Sequence, residues 1–205
     1  MMTTEEYIER LRTLLNEAAE NGLEEISLMG TDTVNLSSII DNTFPQAWER
    51  IPQDDLVGKS VDITATPLAE KGKDSQVGYI NLPADYHKLT YLKMSGWKIP
   101  VTITYGRSSE IGIMQGFTFA RGSSSRPVAI VENHEDGWRL YYYTLPLGRE
   151  HKVERFSYAS QPSIDNINVK DSAITTLLNY HALYVSIALD RTSMIKYFTE
   201  LINQG

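Results

Sequence analysis

The sequence has four histidines, the side chains that most often bind metals or transfer protons near neutral pH. They are His87, His134, His151 and His181, and none of them belongs to a metal-binding motif such as H-E-x-x-H. The chain contains no cysteine, which excludes disulfides, thiolate metal sites and a thiol nucleophile. We therefore interpret the histidines as structural or solvated residues, and predict that folding requires no metal, nucleotide or other cofactor.

Two serine-containing segments are the remaining candidates for chemistry. YGRSSEIG at 105–112 only loosely resembles the G-x-S-x-G turn that exposes a nucleophilic serine. ARGSSSRP at 120–127 places Arg121 and Arg126 around three serines, a pattern that suits either an anion site or an exposed polar loop. Neither segment has the glycine pattern of a common phosphate-binding loop. No catalytic site follows from these residues, and we predict that the protein is not an enzyme.

The composition is that of an ordinary globular protein. The 205 residues are 41% hydrophobic and 22% charged, with a net charge of −7. A protein that binds nucleic acid through its whole surface is expected to be basic, so tight binding of duplex DNA is not expected. The first residues, MMTTEEYIERLRTLL, lack the basic and apolar segments of a signal peptide, and no apolar run is long enough to predict a membrane span.

Amphipathic patterns near both ends of the chain predict helices. The first helix begins at a capping box formed by Thr3 and Glu6, and its apolar residues recur at helical spacing as far as Ala19. A second helix, broken or kinked near Pro45, is expected to end before Pro52. The segment DSAITTLLNYHALYVSIALDRTSMIKYFTELINQ has a broad apolar face, which predicts one long C-terminal helix.

The middle of the chain has the pattern of short strands. Strand-like segments separated by turn residues are SVDITATPL, VGYINL, HKLTYLKM, IPVTITY, PVAIVE, WRLYYYTL and VERFSYAS. The dipeptide Asp136-Gly137 predicts a hairpin between two of them, and Ser95-Gly96 predicts another.

The order of these elements predicts an α+β fold. We divide the chain into N-terminal helices (1–52), a β-rich insertion (53–168) and a C-terminal helix (169–205) that packs on the N-terminal helices. The terminal helices are expected to pack together because each has an apolar stripe too large to leave in water. The expected architecture is a bundle of N- and C-terminal helices with an inserted antiparallel β-rich region.

Four segments carry a resemblance to a known family. They are INLPADYHKLTYL with its proline bend, SGWKIPVTITY, SRPVAIV, and the amphipathic ALYVSIALDRTSMIKYFTELI. Together they resemble the head-to-tail connector proteins of short-tailed bacteriophages, which are also called adaptors, tail tubular proteins or ring proteins. Proteins of this kind occur in the crAss-like phages of gut bacteria. The resemblance spans most of the chain.

The resemblance implies a structural virion protein made in the cytoplasm of the bacterial host. Copies of the chain would form a ring, which we expect to be dodecameric, between the portal protein and the downstream tail or ring proteins. The terminal helices would pack side by side around the ring, and the β-rich insertion would form its outer wall or contact the next tail component. DNA would pass through the lumen without tight binding, and neither a membrane nor a cofactor would be involved.

The C-terminal segment has more apolar residues than a single packing stripe requires. Beyond Asp190-Arg191 the apolar residues continue on more than one helix face, at Met194, Ile195, Tyr197, Phe198, Leu201 and Ile202. Such an excess belongs either to the subunit's own core or to a contact with another chain. Because a ring needs an apolar patch that is covered only in the assembly, we predict that these six residues form a partner interface.

Two other interpretations stay open. The chain could be a different virion component of similar architecture, such as a neck or tail-completion protein, or it could be a bacterial ligand-binding module or enzyme. A gene neighbourhood with a portal and a terminase would favour a virion protein. Measurable turnover or saccharide binding would favour the ligand-binding module or enzyme.

Overall fold

The computed structural model describes residues 2–20, 36–68 and 76–204. Its elements in chain order are α1 (Thr4–Glu20), α2 (Leu36–Trp48), a 3₁₀ turn (Gln53–Asp55), β1 (Lys59–Ser60), β2 (Ala65–Pro67), β3 (Gly78–Asn81), β4 (Tyr86–Met94), β5 (Thr104–Gly106), α3 (Glu110–Met114), β6 (Ala129–His134), β7 (Gly137–Tyr142), β8 (Val153–Ser160), a second 3₁₀ turn (Asp171–Ala173), α4 (Ile174–Ala188) and α5 (Thr192–Gln204). The fold is α+β, as predicted. None of the helices in these ranges combines the length and apolar composition needed to cross a bilayer.

The chain divides into two units. Residues 1–56 and 162–205 form the helical unit, and residues 57–161 form the β-rich unit. Residues 53–56 and 162–168, which we had placed in the insertion, therefore belong to the helical unit. The physical reason is local pairing, because Leu56 and Val169 form an antiparallel bridge and the Lys170 N–H donates to the Asp55 carbonyl at 2.8 Å.

The start of α1 has the predicted capping box. The Glu6 N–H donates to Thr3 Oγ1 at 3.2 Å, and the Thr3 N–H donates to Glu6 Oε2 at 3.0 Å. These bonds pair amide groups that have no partner within the helix. The Thr3 amide also lowers the pKa of the Glu6 carboxyl. Beyond the cap, Tyr7, Leu11 and Leu15 are buried on the predicted apolar stripe.

Helix α2 continues through Pro45 without the break that we named as one of two alternatives, the other being a kink. A proline inside a helix removes one backbone hydrogen bond and costs about 3 kcal/mol or more. Burial on both sides of the proline offsets this cost, since Ile40, Phe44 and Trp48 are fully buried and α2 packs against α4. The next turn is also intact, because the Glu49 N–H donates to the Pro45 carbonyl at 3.1 Å.

The predicted single C-terminal helix is two helices, α4 and α5, and that prediction is wrong. At the end of α4, Asp190 adopts a left-handed conformation with φ of 54°. Its N–H donates to the Ile187 carbonyl, and the Arg191 N–H donates to the Ser186 carbonyl. These two bonds form a Schellman motif, in which aspartate occupies the position that glycine usually takes. Helix α4 contacts α1, α2 and α5.

The β-rich unit contains two sheets in its described residues. The smaller sheet has the order β1-β8-β4, and the larger has the order β2-β3-β7-β6-β5. All neighbouring strands are antiparallel except β5 and β6, which are parallel. One apolar cluster includes residues from both sheets, among them Ile80, Leu140, Leu92 and Phe156.

The two predicted hairpins have different outcomes. Strands β6 and β7 are joined at the Asp136-Gly137 turn, where His134 pairs with Gly137, so this hairpin is confirmed. The hairpin around Ser95-Gly96 is not, because β4 pairs along its length with β8 and only Leu92 bridges to Val101. The strand predicted at IPVTITY is reduced to β5, which begins at Thr104.

Candidate functional site: an apolar and arginine-lined surface on the β-rich unit

Three of the four histidines are hydrogen-bonded to a tyrosine hydroxyl within their own unit. His134 Nε2 lies 2.8 Å from Tyr141 Oη, and His151 Nδ1 lies 2.6 Å from Tyr142 Oη. His181 makes the same kind of contact in the helical unit, and His87 is exposed on β4. Within the described residues, no group of three or more His, Cys, Asp or Glu side chains is arranged to hold a metal ion.

His181 is buried at the centre of the helical unit. Its Nδ1 lies 3.0 Å from Tyr7 Oη of α1, and its Nε2 lies 2.9 Å from the Ile40 carbonyl and 3.1 Å from Thr43 Oγ1 of α2. The ring stacks on Tyr7 and meets the edge of Phe44. Burial lowers the pKa of His181 to about 4 and raises the pKa of Tyr7. The cluster is a structural one, because its polar atoms are occupied by one another.

The six predicted interface residues divide into two groups. Met194 and Phe198 have no exposed surface in the chain, so the prediction that they form a partner interface is corrected: they belong to the subunit's own core. Ile195, Tyr197, Leu201 and Ile202 are half-buried on α5. Packing of α5 within the helical unit therefore accounts for two of the six apolar side chains. The other four keep some surface that is accessible to solvent.

The short helix α3 begins at a serine cap. Ser109 Oγ accepts a hydrogen bond from the Gly112 N–H at 3.0 Å and donates to the Gly106 carbonyl at 2.7 Å. Ser109, the second serine of YGRSSEIG, is thus a helix cap. Gly112 lets α3 lie close to the end of β5, because a Cβ atom there would be 2.3 Å from the Gly106 carbonyl oxygen.

Gln115, at the end of α3, connects this helix to the following loop. The Gln115 side chain is buried, its Nε2 donates to the Ile111 carbonyl at 3.1 Å, and its Oε1 accepts from the Gly122 N–H at 3.3 Å. The Gln115 carbonyl accepts from Arg121 Nε at 2.9 Å. A buried amide with these partners holds the two ends of the segment together, which positions the residues between them.

Three arginines lie between residues 107 and 126. Arg107 Nη1 donates to Tyr143 Oη at 2.8 Å, and the Arg121 guanidinium lies over the Tyr143 ring at 5.8 Å. Arg126 is exposed and closes a tight turn in which its N–H and carbonyl pair with those of Ser123. Arg121 and Arg126, the pair that the sequence singled out, line one pocket of about 510 Å³. We call Arg107, Arg121 and Arg126 the arginine rim.

Apolar side chains between these arginines are exposed. The exposed fractions are 57% for Ile113, 43% for Met114, 53% for Phe117 and 90% for Phe119, and we call these four residues the apolar patch. The rings of Phe117 and Phe119 are 5.8 Å apart. The patch adjoins the rim, because the Arg121 N–H donates to the Phe117 carbonyl, and Gly116 lines a pocket with Arg107 and Arg121. Together the patch and rim form the 107–126 surface.

The 107–126 surface has the chemistry of a binding surface. Guanidinium groups bind carboxylates and phosphates, and exposed aromatic rings supply apolar contact area. Two carboxylates lie nearby, Glu110 at the start of α3 and Glu132 in the pocket lined by Arg107 and Arg121, and they offset part of the positive charge. An exposed Phe side chain gains free energy when a partner covers it.

The two units differ in charge. The helical unit has sixteen Asp and Glu against six Lys and Arg, which gives −10, whereas the β-rich unit has ten against thirteen, which gives +3. The sum is the −7 of the whole chain. A surface on the β-rich unit therefore carries the charge that an acidic partner would require.

Sequence reasoning identified only two residues of this surface, Arg121 and Arg126. The segment IMQGFTF (113–119), between YGRSSEIG and ARGSSSRP, contains the apolar patch, and no structure or role was predicted for it. The sequence pattern that could have indicated an exposed patch is Gly116-Phe117-Thr118-Phe119. It has two phenylalanines next to a glycine, in a segment too short to be predicted as a strand. Comparison of the sequence with models of protein families and with curated proteins finds no match.

Proposed function

We propose that the protein is a structural component of a short-tailed phage virion, a ring-forming connector between the portal and the tail. The single observation that carries the proposal is the way the chain is divided. Both ends of the chain contribute helices to one unit, and the β-rich unit is one continuous segment, 57–161, between them. This is the arrangement that the resemblance to connector proteins implies.

In the proposal, the helices form a bundle that packs against the bundles of neighbouring copies. The contacts of α4 with α1, α2 and α5 support a bundle within one copy. The half-buried residues of α5, Ile195, Tyr197, Leu201 and Ile202, are apolar groups that a neighbour or the portal would cover. The protein acts through shape and contact area, and it requires no cofactor and performs no reaction.

The charge of the helical unit supports a role as a conduit. A net charge of −10 repels DNA phosphates, so a ring that presents this unit to its lumen would let the genome slide past without being held. The β-rich unit would then face the outer wall or the next tail component.

The test is assembly in the presence and absence of a portal. The purified chain is examined by light scattering and negative-stain microscopy, alone and after co-expression with the portal protein from its own genome. Closed rings, alone or on the portal, are the expected result. A protein that remains monomeric in both samples would contradict the proposal, and binding of small anions in the pocket of Arg121 and Arg126 would then favour a ligand-binding module.

A further inference from the structure

We propose that the 107–126 surface is a docking site for the acidic helical unit of a second copy of this chain, so that copies associate head to tail. The inference rests on the proposed function in one respect, namely that the occupant is another copy. It goes further by naming the surface that each copy offers to the next.

The aromatic side chains of the surface are exposed. An aromatic side chain buries about 150–250 Å² when it is fully covered, so the exposed parts of Phe117 and Phe119 together offer roughly 200–350 Å². A standard interface buries about 800 Å² on each partner. The two rings are therefore the anchor of an interface whose remaining area comes from Ile113, Met114 and the arginine rim.

Hydrogen bonds hold the backbone that carries this anchor. The Phe117 N–H donates to the Met114 carbonyl, and the Phe117 carbonyl accepts from the N–H groups of Ala120 and Arg121. Buried Gln115 fixes the loop on either side of these turns. A surface that is ordered before binding loses little conformational entropy when a partner covers it.

The 107–126 surface and the helical unit are opposite in charge. The three guanidiniums of the arginine rim exceed the two nearby carboxylates, Glu110 and Glu132, and the β-rich unit is positive overall. The opposite charge is found on the helical unit of the same chain, at −10, where Glu5 and Glu9 of α1 and Glu200 of α5 are exposed. Two copies of the 107–126 surface would instead repel each other, which disfavours a patch-to-patch dimer. A contact between two different surfaces can close into a ring.

The experiment measures self-association of the full chain by sedimentation velocity across a range of concentrations. The double variant Phe117→Asp with Phe119→Asp is expected to weaken association by at least about tenfold. The matched control is Trp138→Asp, which also replaces an apolar side chain with an acid. Trp138 is half-exposed and lies near the start of β7, whereas Tyr143, the partner of Arg107, follows the end of β7. Arg126→Glu is expected to weaken association by a smaller factor and to reduce its dependence on salt. Circular dichroism establishes that each variant is folded.

A mixing experiment tests the head-to-tail geometry. The double variant keeps its acidic helical unit, so it can bind the 107–126 surface of a wild-type copy but offers no surface to the next one. Adding it in excess is therefore expected to shorten wild-type assemblies. If wild-type assemblies are unchanged by the variant, the contact joins like surfaces and the head-to-tail inference is overturned.

The possible failures can be told apart. If the folded double variant associates as well as wild type, the docking inference is wrong while the proposed function survives. If wild type depends on the patch but forms open filaments or dimers and no ring on the portal, the inference stands and the connector role fails. If wild type stays monomeric and the 107–126 surface binds single-stranded DNA instead, the inference is overturned.

Discussion

The phenol of Tyr7 and the imidazole of His181 meet at 3.0 Å although 174 positions separate them in the sequence. The direction of each hydrogen bond follows from the partners. The Ile40 carbonyl can only accept, so His181 Nε2 carries a proton, and because burial lowers the pKa of His181 to about 4, Nδ1 carries none at neutral pH and accepts from the Tyr7 hydroxyl. The histidine is therefore neutral in the folded protein.

We expect the stability of the helical unit to fall in mild acid. The pKa of His181 is about 4 in the folded protein and about 6.5 in the unfolded chain, so between these values only the unfolded chain binds the proton. The free energy of unfolding therefore decreases as the pH drops from 6.5 to 4, by about 3 kcal/mol in total. Urea denaturation at several pH values measures this.

The control for the pH dependence is His181→Gln, which does not titrate. Other groups, including Tyr7, are common to both proteins and cancel in the comparison. The variant is expected to be less stable at neutral pH and to lose less stability in acid than wild type. Equal losses in the two proteins would show that His181 is not the group responsible.

Tyr7→Phe tests the same hydrogen bond from the other side. The substitution leaves the buried Nδ1 of His181 without a donor, which is expected to lower the free energy of unfolding by about 1–3 kcal/mol. Tyr184→Phe is the matched control, because the hydroxyl of Tyr184 accepts a bond from Arg50 at an exposed position. It is expected to cost about 0.5 kcal/mol or less. If both variants lose a similar free energy of unfolding, burial does not strengthen the contribution of the Tyr7–His181 hydrogen bond.

Phe198→Ala separates a core role from an interface role on α5. Phe198 is fully buried, so its truncation is expected to lower the free energy of unfolding by about 3–5 kcal/mol. Its neighbour Tyr197 is half-buried, and Tyr197→Ala is expected to cost about 1 kcal/mol. A Phe198→Ala protein with normal stability but impaired assembly would restore the interface assignment that the burial of this ring overturned.

Gly112→Ala tests how α3 is held in the β-rich unit. The added Cβ would lie 2.3 Å from the Gly106 carbonyl oxygen and 2.7 Å from the Arg107 carbonyl oxygen, both of them backbone atoms that cannot turn aside. We expect a loss of about 1–3 kcal/mol in thermal unfolding. Gly106→Ala is the control, since a Cβ at that position meets no atom within 4 Å. A Gly112→Ala protein as stable as wild type would mean that α3 can shift away from the Gly106 and Arg107 carbonyls without loss of stability.

Duplex DNA is expected to bind the protein weakly. The acidic helical unit repels the phosphates, so the dissociation constant at moderate salt should lie at or above about 10⁻⁴ M, the weak end of nonspecific binding. Fluorescence anisotropy with a labelled duplex measures this. Micromolar binding would contradict a conduit through which the genome slides.

The features that could be predicted from the sequence are those set by neighbouring residues. The Thr3–Glu6 capping box and the Asp136-Gly137 hairpin each depend on a few consecutive positions, and both are present. The break between α4 and α5 is also local, yet it was missed because Asp190 takes a left-handed conformation that glycine usually signals.

The features that could not be predicted depend on distant partners. Strand β4 pairs along its length with β8 and meets the segment that follows it only at the Leu92–Val101 bridge, and no turn residue indicates a partner as far along the chain as β8. The division of the C-terminal apolar residues into buried Phe198 and half-buried Tyr197 depends on which face of α5 meets the rest of the helical unit. Phe119 presents the converse difficulty, because an apolar residue type does not reveal that its side chain is exposed.

The division of the helical unit between the two chain ends has a consequence for synthesis on the ribosome. Every residue of the β-rich unit has been made once Gln161 is joined, so this unit can fold while the rest is still being translated. Tyr7 and Phe44 cannot pack against His181 at that stage, because His181 is added to the chain only afterwards. The first helices therefore emerge with their apolar faces uncovered and remain so through the synthesis of more than one hundred residues. During that interval the nascent chain is the form of the protein with the greatest need of a chaperone.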